Sequence, residues 1–196
     1  MMLDMVHDIQ SVYRKLVHSM SRPGTITNLS EEAEKLDNQG VFPSTQLIAR
    51  TLLDTEVTFS IVSSRAAEIT SLFSQMTYAK EAAIEAADYI FVLEDAVSGA
   101  WLETIQAAKV GELIDPHAAA TIIVEVEDLF GGTTLRLSGP GILTTASIAM
   151  NMREDWVELR ADRNGEFPLG VDLLFTDVDH RVLALPRTTQ VVKEEV

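Results

Sequence analysis

Cysteine is absent from this 196-residue chain. That excludes a disulfide framework, a thiolate zinc site, a cysteine nucleophile and the protein thiolates an iron–sulfur cluster needs. Lysine is scarce, limited to Lys15, Lys35, Lys80, Lys109 and Lys193, and none lies beside a glycine or at a clear strand end. A pyridoxal-phosphate enzyme needs a buried lysine for its Schiff base, so no such cofactor is expected. The four histidines, His7, His18, His117 and His180, show no metal-ligand spacing and read as surface or satisfied polar residues. No metal is expected. No G-x-S-x-G elbow, P-loop or dinucleotide fingerprint occurs. No apolar run approaches the ~18–20 residues of a membrane span, and no basic leader precedes one. Neither a membrane anchor nor a signal peptide is expected, which is compatible with the cytoplasm.

Positive charge is also in short supply. Fifteen Lys and Arg face thirty Asp and Glu, for a net charge of −15. Such a surface repels phosphate backbones, so no nucleic-acid partner is expected. The charge serves solubility, or complements a basic partner. A phosphorylated ligand would require the few arginines to be concentrated locally. Arginines beside turns therefore carry the interest.

What is present is a globular composition, with 46% of residues hydrophobic. The length suits one compact domain over residues 1–196, with disorder expected only in the last few residues, within 191–196. Residues 5–20 repeat apolar side chains at helical spacing, with Asp4 as the expected cap and Ser21-Arg22-Pro23-Gly24 as the stop. A short strand is expected over 25–29, and a solvated loop or frayed helix over 30–40. Helices are expected over 44–54, over 65–75 with Ser64 as cap, over 99–109 and over 150–161. Residues 81–87 read as helix or extended linker. Strands are expected over 56–62, 88–93, 121–126, 133–137, 171–176 and 181–185. Gly131-Gly132 suggests that 121–126 and 133–137 form a hairpin. The total is six or seven strands and four or five helices. Their interleaving predicts an α/β fold, a mixed central sheet flanked by helices.

Three places invite chemistry. Ser138-Gly139-Pro140-Gly141-Ile142 is a tight turn leaving a strand, or a close backbone approach to an anion or a partner chain. Arg187, after Pro186 and before Thr188 and Thr189, either holds a phosphate or phosphonate or pins its loop to a carboxylate such as Asp172. Arg14 lies one turn before its helix ends and could reach the Ser21 turn.

These same stretches resemble a known family. Tyr13-Arg14-Lys15-Leu16, then Met20-Ser21-Arg22-Pro23-Gly24, is similar to the opening of the PhnH subunit of bacterial carbon–phosphorus lyase. Leu135-Arg136-Leu137-Ser138-Gly139-Pro140-Gly141-Ile142 resembles its central strand and turn. Phe167-Pro168-Leu169-Gly170-Val171-Asp172-Leu173 and Leu185-Pro186-Arg187-Thr188-Thr189 resemble its closing block. The resemblance implies a reduced pyridoxal-phosphate-dependent-transferase-like fold without cofactor, and a homodimer. It implies partner subunits like PhnG, PhnI and PhnJ, with PhnL acting functionally. It implies support for ribose triphosphate transfer from ATP to methylphosphonate within phosphonate catabolism, with radical cleavage left to PhnJ. It supplies no catalytic residue. Arg14, Ser21, Arg136, Arg187, Thr188 and Thr189 are the candidate ligand or subunit contacts. The alternative is an independent phosphonate- or nucleotide-binding enzyme with an arginine-marked cleft.

Overall fold

A computed structural model describes residues 3–151 and 156–194. The first helix, α1 (His7–Ser21), buries Val12 and Leu16 along its apolar stripe. Asp4 caps it: one carboxylate oxygen accepts from the backbone N–H of His7 at 2.9 Å and of Val6 at 2.8 Å. These bonds, that from His7 foremost, lower its pKa to about 2. The chain continues through β1 (Ile26–Asn28), a one-turn α2 (Ser30–Ala33) and α3 (Pro43–Leu52). Pro43 occupies the first turn of α3, where its missing N–H costs nothing.

A seven-stranded sheet follows from β2 (Thr58–Val62), β3 (Lys80–Glu81), β4 (Tyr89–Val92), β5 (Thr121–Val126), β8 (Asp172–Asp177) and β9 (Arg181–Leu185), with β1 at one edge. Its order is β1-β9-β8-β5-β4-β2-β3. Neighbours from β8 through β3 run parallel, and β9 runs antiparallel to both β8 and β1. The expected mixed sheet is therefore present. Pleating divides it into two cores. Ile122 and Val124 of β5 face one cluster, while Ile123 faces the other. α4 (Ala66–Thr77) packs on one face with α1 and α3, where Phe73 meets Phe91 edge-on at 5.0 Å. α5 (Ala100–Ala107) and α6 (Val157–Arg163) cover the other, where Trp101, Trp156 and Phe175 form an aromatic cluster.

A second, three-stranded sheet holds β6 (Thr133–Ser138), β7 (Ala146–Met150) and β10 (Gln190–Lys193), in the order β10-β6-β7. This corrects the expected hairpin. Both edges of β5 are taken, by β4 and β8, so β6 pairs elsewhere. Gly131 and Gly132 carry the chain between sheets.

Other expectations shift as well. Residue 150 ends β7 rather than starting a helix; residues 152–155 lie outside the described residues, and the helix begins at Val157. The expected disordered tail is partly strand, because β10 pairs with β6. The final two residues lie outside the described residues. Ser64 donates to Asp95 instead of capping α4. Residues 80–81 form the short edge strand β3. The described residues contain ten strands and six α-helices, more than expected, because several are too short to show a periodicity. No helix among the described residues is long and apolar enough to cross a membrane.

Candidate functional site

Turns far apart in sequence meet at one corner. A side chain at Gly139 would strike the carbonyl oxygen of Thr188 at 2.7 Å. One at Gly141 would strike the Ser21 carbonyl oxygen and reach Pro23 Cδ at 2.9 Å. The 138–142 turn is thus wedged between the end of α1 and the loop after β9. Both glycines also have positive φ. Close backbone approach is what these glycines serve, and the neighbours approached are the protein's own.

Arg187 is anchored at this corner. Its guanidinium pairs with Asp172 at 2.5 Å and donates to the Pro116 carbonyl at 2.7 Å. Its backbone N–H donates to Asp172 at 2.6 Å. Of the two readings of Arg187, this geometry shows the pinning. Thr188 is half-buried. Thr189 is buried, its backbone N–H donates to the Pro186 carbonyl, and its hydroxyl has no partner among the described residues. Ser21 is exposed and its hydroxyl donates to the His18 carbonyl at 3.0 Å. Ser21, Thr188 and Thr189 therefore border the same turn. Arg14 is exposed on α1 and makes no hydrogen bond with that turn. Arg136 is exposed on β6, opposite Ser147 and Val192.

Sequence reasoning missed Arg160. It is 2% exposed on α6 and donates to the carbonyls of Thr189 (3.0 Å), Leu185 (3.2 Å) and Pro186 (2.7 Å). Burial lowers its pKa to about 10, and nearby Asp172 opposes the shift. It holds the loop that carries Arg187. No motif marks it, because its partners are backbone atoms.

The other candidate place is the carboxyl end of the parallel strands. α4 follows β2 on one face and leads to β3; α5 follows β4 on the opposite face and leads to β5. The direction of winding thus reverses between β2 and β4, and ligands of open α/β sheets favour such switch points. A cavity of about 330 Å³ opens there, with Asn38, Arg65, Glu94, Asp95 and Glu125 in its lining. A second of about 470 Å³ adjoins it, sharing Glu94 and Glu125 and floored by Val92, Val124 and Trp101.

Both cavities are held by carboxylates. Asp95 accepts from Ser63 and Ser64 hydroxyls at 2.6 Å each and from Arg65 Nε at 3.2 Å. Burial raises its pKa, yet these bonds outweigh it and leave Asp95 below its ordinary value. Burial pushes Glu125 up, against donors from Thr45 at 2.7 Å, Phe42 N at 2.8 Å and Glu94 N at 3.2 Å. Arg65 also donates to the Gly40 carbonyl. The lining can accept hydrogen bonds from hydroxyl or amine groups, and its carboxylates repel a phosphate. Among the described residues no group of three or more His, Asp or Glu could hold a metal ion.

These features define an open, wound α/β protein with one corner built from interlocked turns. The chain belongs to the family of bacterial phosphonate metabolism proteins, PhnH, whose model matches residues 2–192. It is 30% identical over 183 residues to the putative C-P lyase subunit protein HtxG of Stutzerimonas stutzeri, covering 93% of this chain and 85% of that one. It is 33% identical over 198 residues to the alpha-D-ribose 1-methylphosphonate 5-triphosphate synthase subunit PhnH of Rhizobium meliloti (strain 1021), covering 97% and 94%.

Proposed function

We propose that the chain is a carbon–phosphorus lyase subunit that supports ribose triphosphate transfer from ATP to methylphosphonate. The product would be alpha-D-ribose 1-methylphosphonate 5-triphosphate, the compound in the name of the Rhizobium relative. Its setting would be the cytoplasm. It would act as a homodimer beside PhnG-, PhnI- and PhnJ-like subunits and functionally with PhnL. A single domain over residues 1–196 and a reduced pyridoxal-phosphate-dependent-transferase-like fold complete the reading; a wound sheet with helices on both faces is compatible with that fold.

One observation carries the assembly role. An apolar groove of about 430 Å³ runs along α1, lined by Tyr13, Val17, Met20, Leu52 and Tyr89. Tyr13 and Val17 are about half exposed, at 56% and 47%. A lone chain leaves this surface in water, and contiguous exposed apolar surface marks an interaction site. Arg187 is committed to Asp172, so its donors favour a structural part over an independent arginine-marked cleft.

Deleting the gene tests the proposal. Growth on methylphosphonate as sole phosphorus source should stop, while growth on phosphate continues. Normal growth on methylphosphonate overturns it. Calorimetry of the purified protein with ATP and methylphosphonate separates the two roles. Tight binding by the isolated protein would favour the independent enzyme.

A further inference from the structure

The cavity of about 470 Å³ beyond β4 and β5 has an apolar floor and an acidic rim. Val92 closes β4, and Val124 and Val126 lie at the end of β5; all three are buried in the floor. Trp101, in the first turn of α5, completes it. Glu94 and Glu127 stand on the rim and are exposed. Among the described residues the lining holds no lysine or arginine. Arg65, in the adjoining cavity, is taken by Asp95 and the Gly40 carbonyl.

Two buried polar groups of this lining are incompletely used. Glu125 is 7% exposed and borders both cavities. Its Oε1 accepts from the Phe42 N–H at 2.8 Å and the Thr45 hydroxyl at 2.7 Å. Among the described residues its Oε2 accepts only from the Glu94 N–H, at 3.2 Å, which leaves a lone pair open. Trp101 is 5% exposed, and its indole N–H has no acceptor among the described residues. A buried donor without a partner carries the full cost of its desolvation, and a ligand atom would relieve it.

We propose that this cavity binds an amino-substituted heteroaromatic ring that carries no phosphate. The flat body of the ring lies over the three valines, and its amino group donates to Glu125 and the rim carboxylates. A ring nitrogen accepts from the Trp101 N–H. That N–H is out of contact with water in the empty cavity, so the indole tilts towards the ligand on binding. An alkylamine would satisfy the carboxylates but leave the indole donor unpaired. A phosphate would meet Glu94 and Glu127 with like charge. An apolar pocket with a few convergent polar groups, set at the switch point of an open sheet, is the usual form of a small-molecule site. The proposal goes beyond the subunit role above and does not rest on it.

The test titrates the full chain with 2-aminopurine, read by its fluorescence, beside purine and the monophosphate of the 2-aminopurine nucleoside. Purine keeps the ring nitrogens and lacks the amino group. The natural chain should bind 2-aminopurine saturably below millimolar concentration, and the other two probes at least about tenfold more weakly. Glu94→Ala with Glu127→Ala removes two exposed acceptors, so the melting temperature should hold while 2-aminopurine binds about tenfold more weakly and the penalty for phosphate shrinks. Trp101→Phe keeps an aromatic ring and removes the donor, and should also weaken 2-aminopurine, with its fold checked by circular dichroism. Absence of saturable binding by the natural chain overturns the proposal. So does equal binding of the three probes, or unchanged binding by the rim variant. None of these results bears on growth on methylphosphonate, so the site and the subunit role fail separately.

Discussion

Arg187 and Asp172 are joined twice, by the guanidinium at 2.5 Å and by the Arg187 backbone N–H at 2.6 Å. Both side chains are largely buried, at 18% and 12% exposure. The second bond matters because the carboxylate then fixes the loop as well as the side chain. Removing either partner strands the other in a dry site. Asp172→Asn should cost about 2–4 kcal/mol in urea denaturation. Arg187→Ala should cost a similar amount, with part of the loss non-additive in the double variant.

The loop has a second support in Arg160. Three carbonyls from Leu185 to Thr189 depend on its donors. Arg160→Met keeps the bulk and removes the donors, and should cost about 3 kcal/mol. Arg160→Lys should not restore the loss, because one ammonium cannot reproduce a planar fork. The check is the denaturation midpoint of each variant. Lysine matching the natural protein would show that geometry is unimportant there.

Much of this fold was legible in the sequence. The helical spacing of Val12 and Leu16 and the apolar runs of β4 and β5 mark their elements directly. The hairpin misreading is instructive. β5, TIIVEV, is buried almost throughout, whereas β6, TTLRLS, alternates between exposed and buried. That contrast separates a central strand of one sheet from a half-covered strand of another. Gly131-Gly132 masked it by offering a plausible turn. Arg160 left no trace, since its acceptors are backbone atoms 25 to 29 residues away. The Asp95 and Glu125 crevice was equally hidden, because it exists only once β2, β4 and β5 are adjacent. Arg187 was legible as a site of interest, including its alternative partner Asp172.

Gly141 and Gly131 make a matched pair. Both have positive φ, but among the described residues only Gly141 of the two has backbone against it. Gly131→Ala should cost about 1 kcal/mol, from the left-handed conformation alone. Gly141→Ala must also displace the Ser21 carbonyl, and should cost at least about 2 kcal/mol more. Equal losses for the two variants would mean that the turn is not wedged.

Acid should weaken the protein through Asp88 and Asp95. Burial raises the pKa of each, but hydrogen bonds prevail, from Lys109 and Thr58 on Asp88 and from Ser63, Ser64 and Arg65 on Asp95. Folded values below the unfolded ones mean that stability is present above the unfolded carboxylate pKa of about 3.9. It is lost as pH falls through the folded values. Asp95→Asn should be less stable than the natural protein at pH 7 and should lose less between pH 5 and pH 2. Parallel stability curves for the two proteins would contradict this.

The groove on α1 is the clearest separation of folding from assembly. Val17 is 47% exposed, and its helix is already anchored by Val12 and Leu16 on the buried side. Val17→Glu therefore changes no core contact, and surface substitutions of this kind stay within about 0.5 kcal/mol. A carboxylate in the groove would instead meet any apolar partner with an unpaired charge, which costs far more than the lost methyl groups. Pull-down of the other lyase subunits with the tagged chain should fall sharply in Val17→Glu, while its melting temperature stays near the natural value. Retained association would place the partner surface elsewhere. Loss of both association and folding would mean that Val17 supports the core. The groove would then not be a free surface.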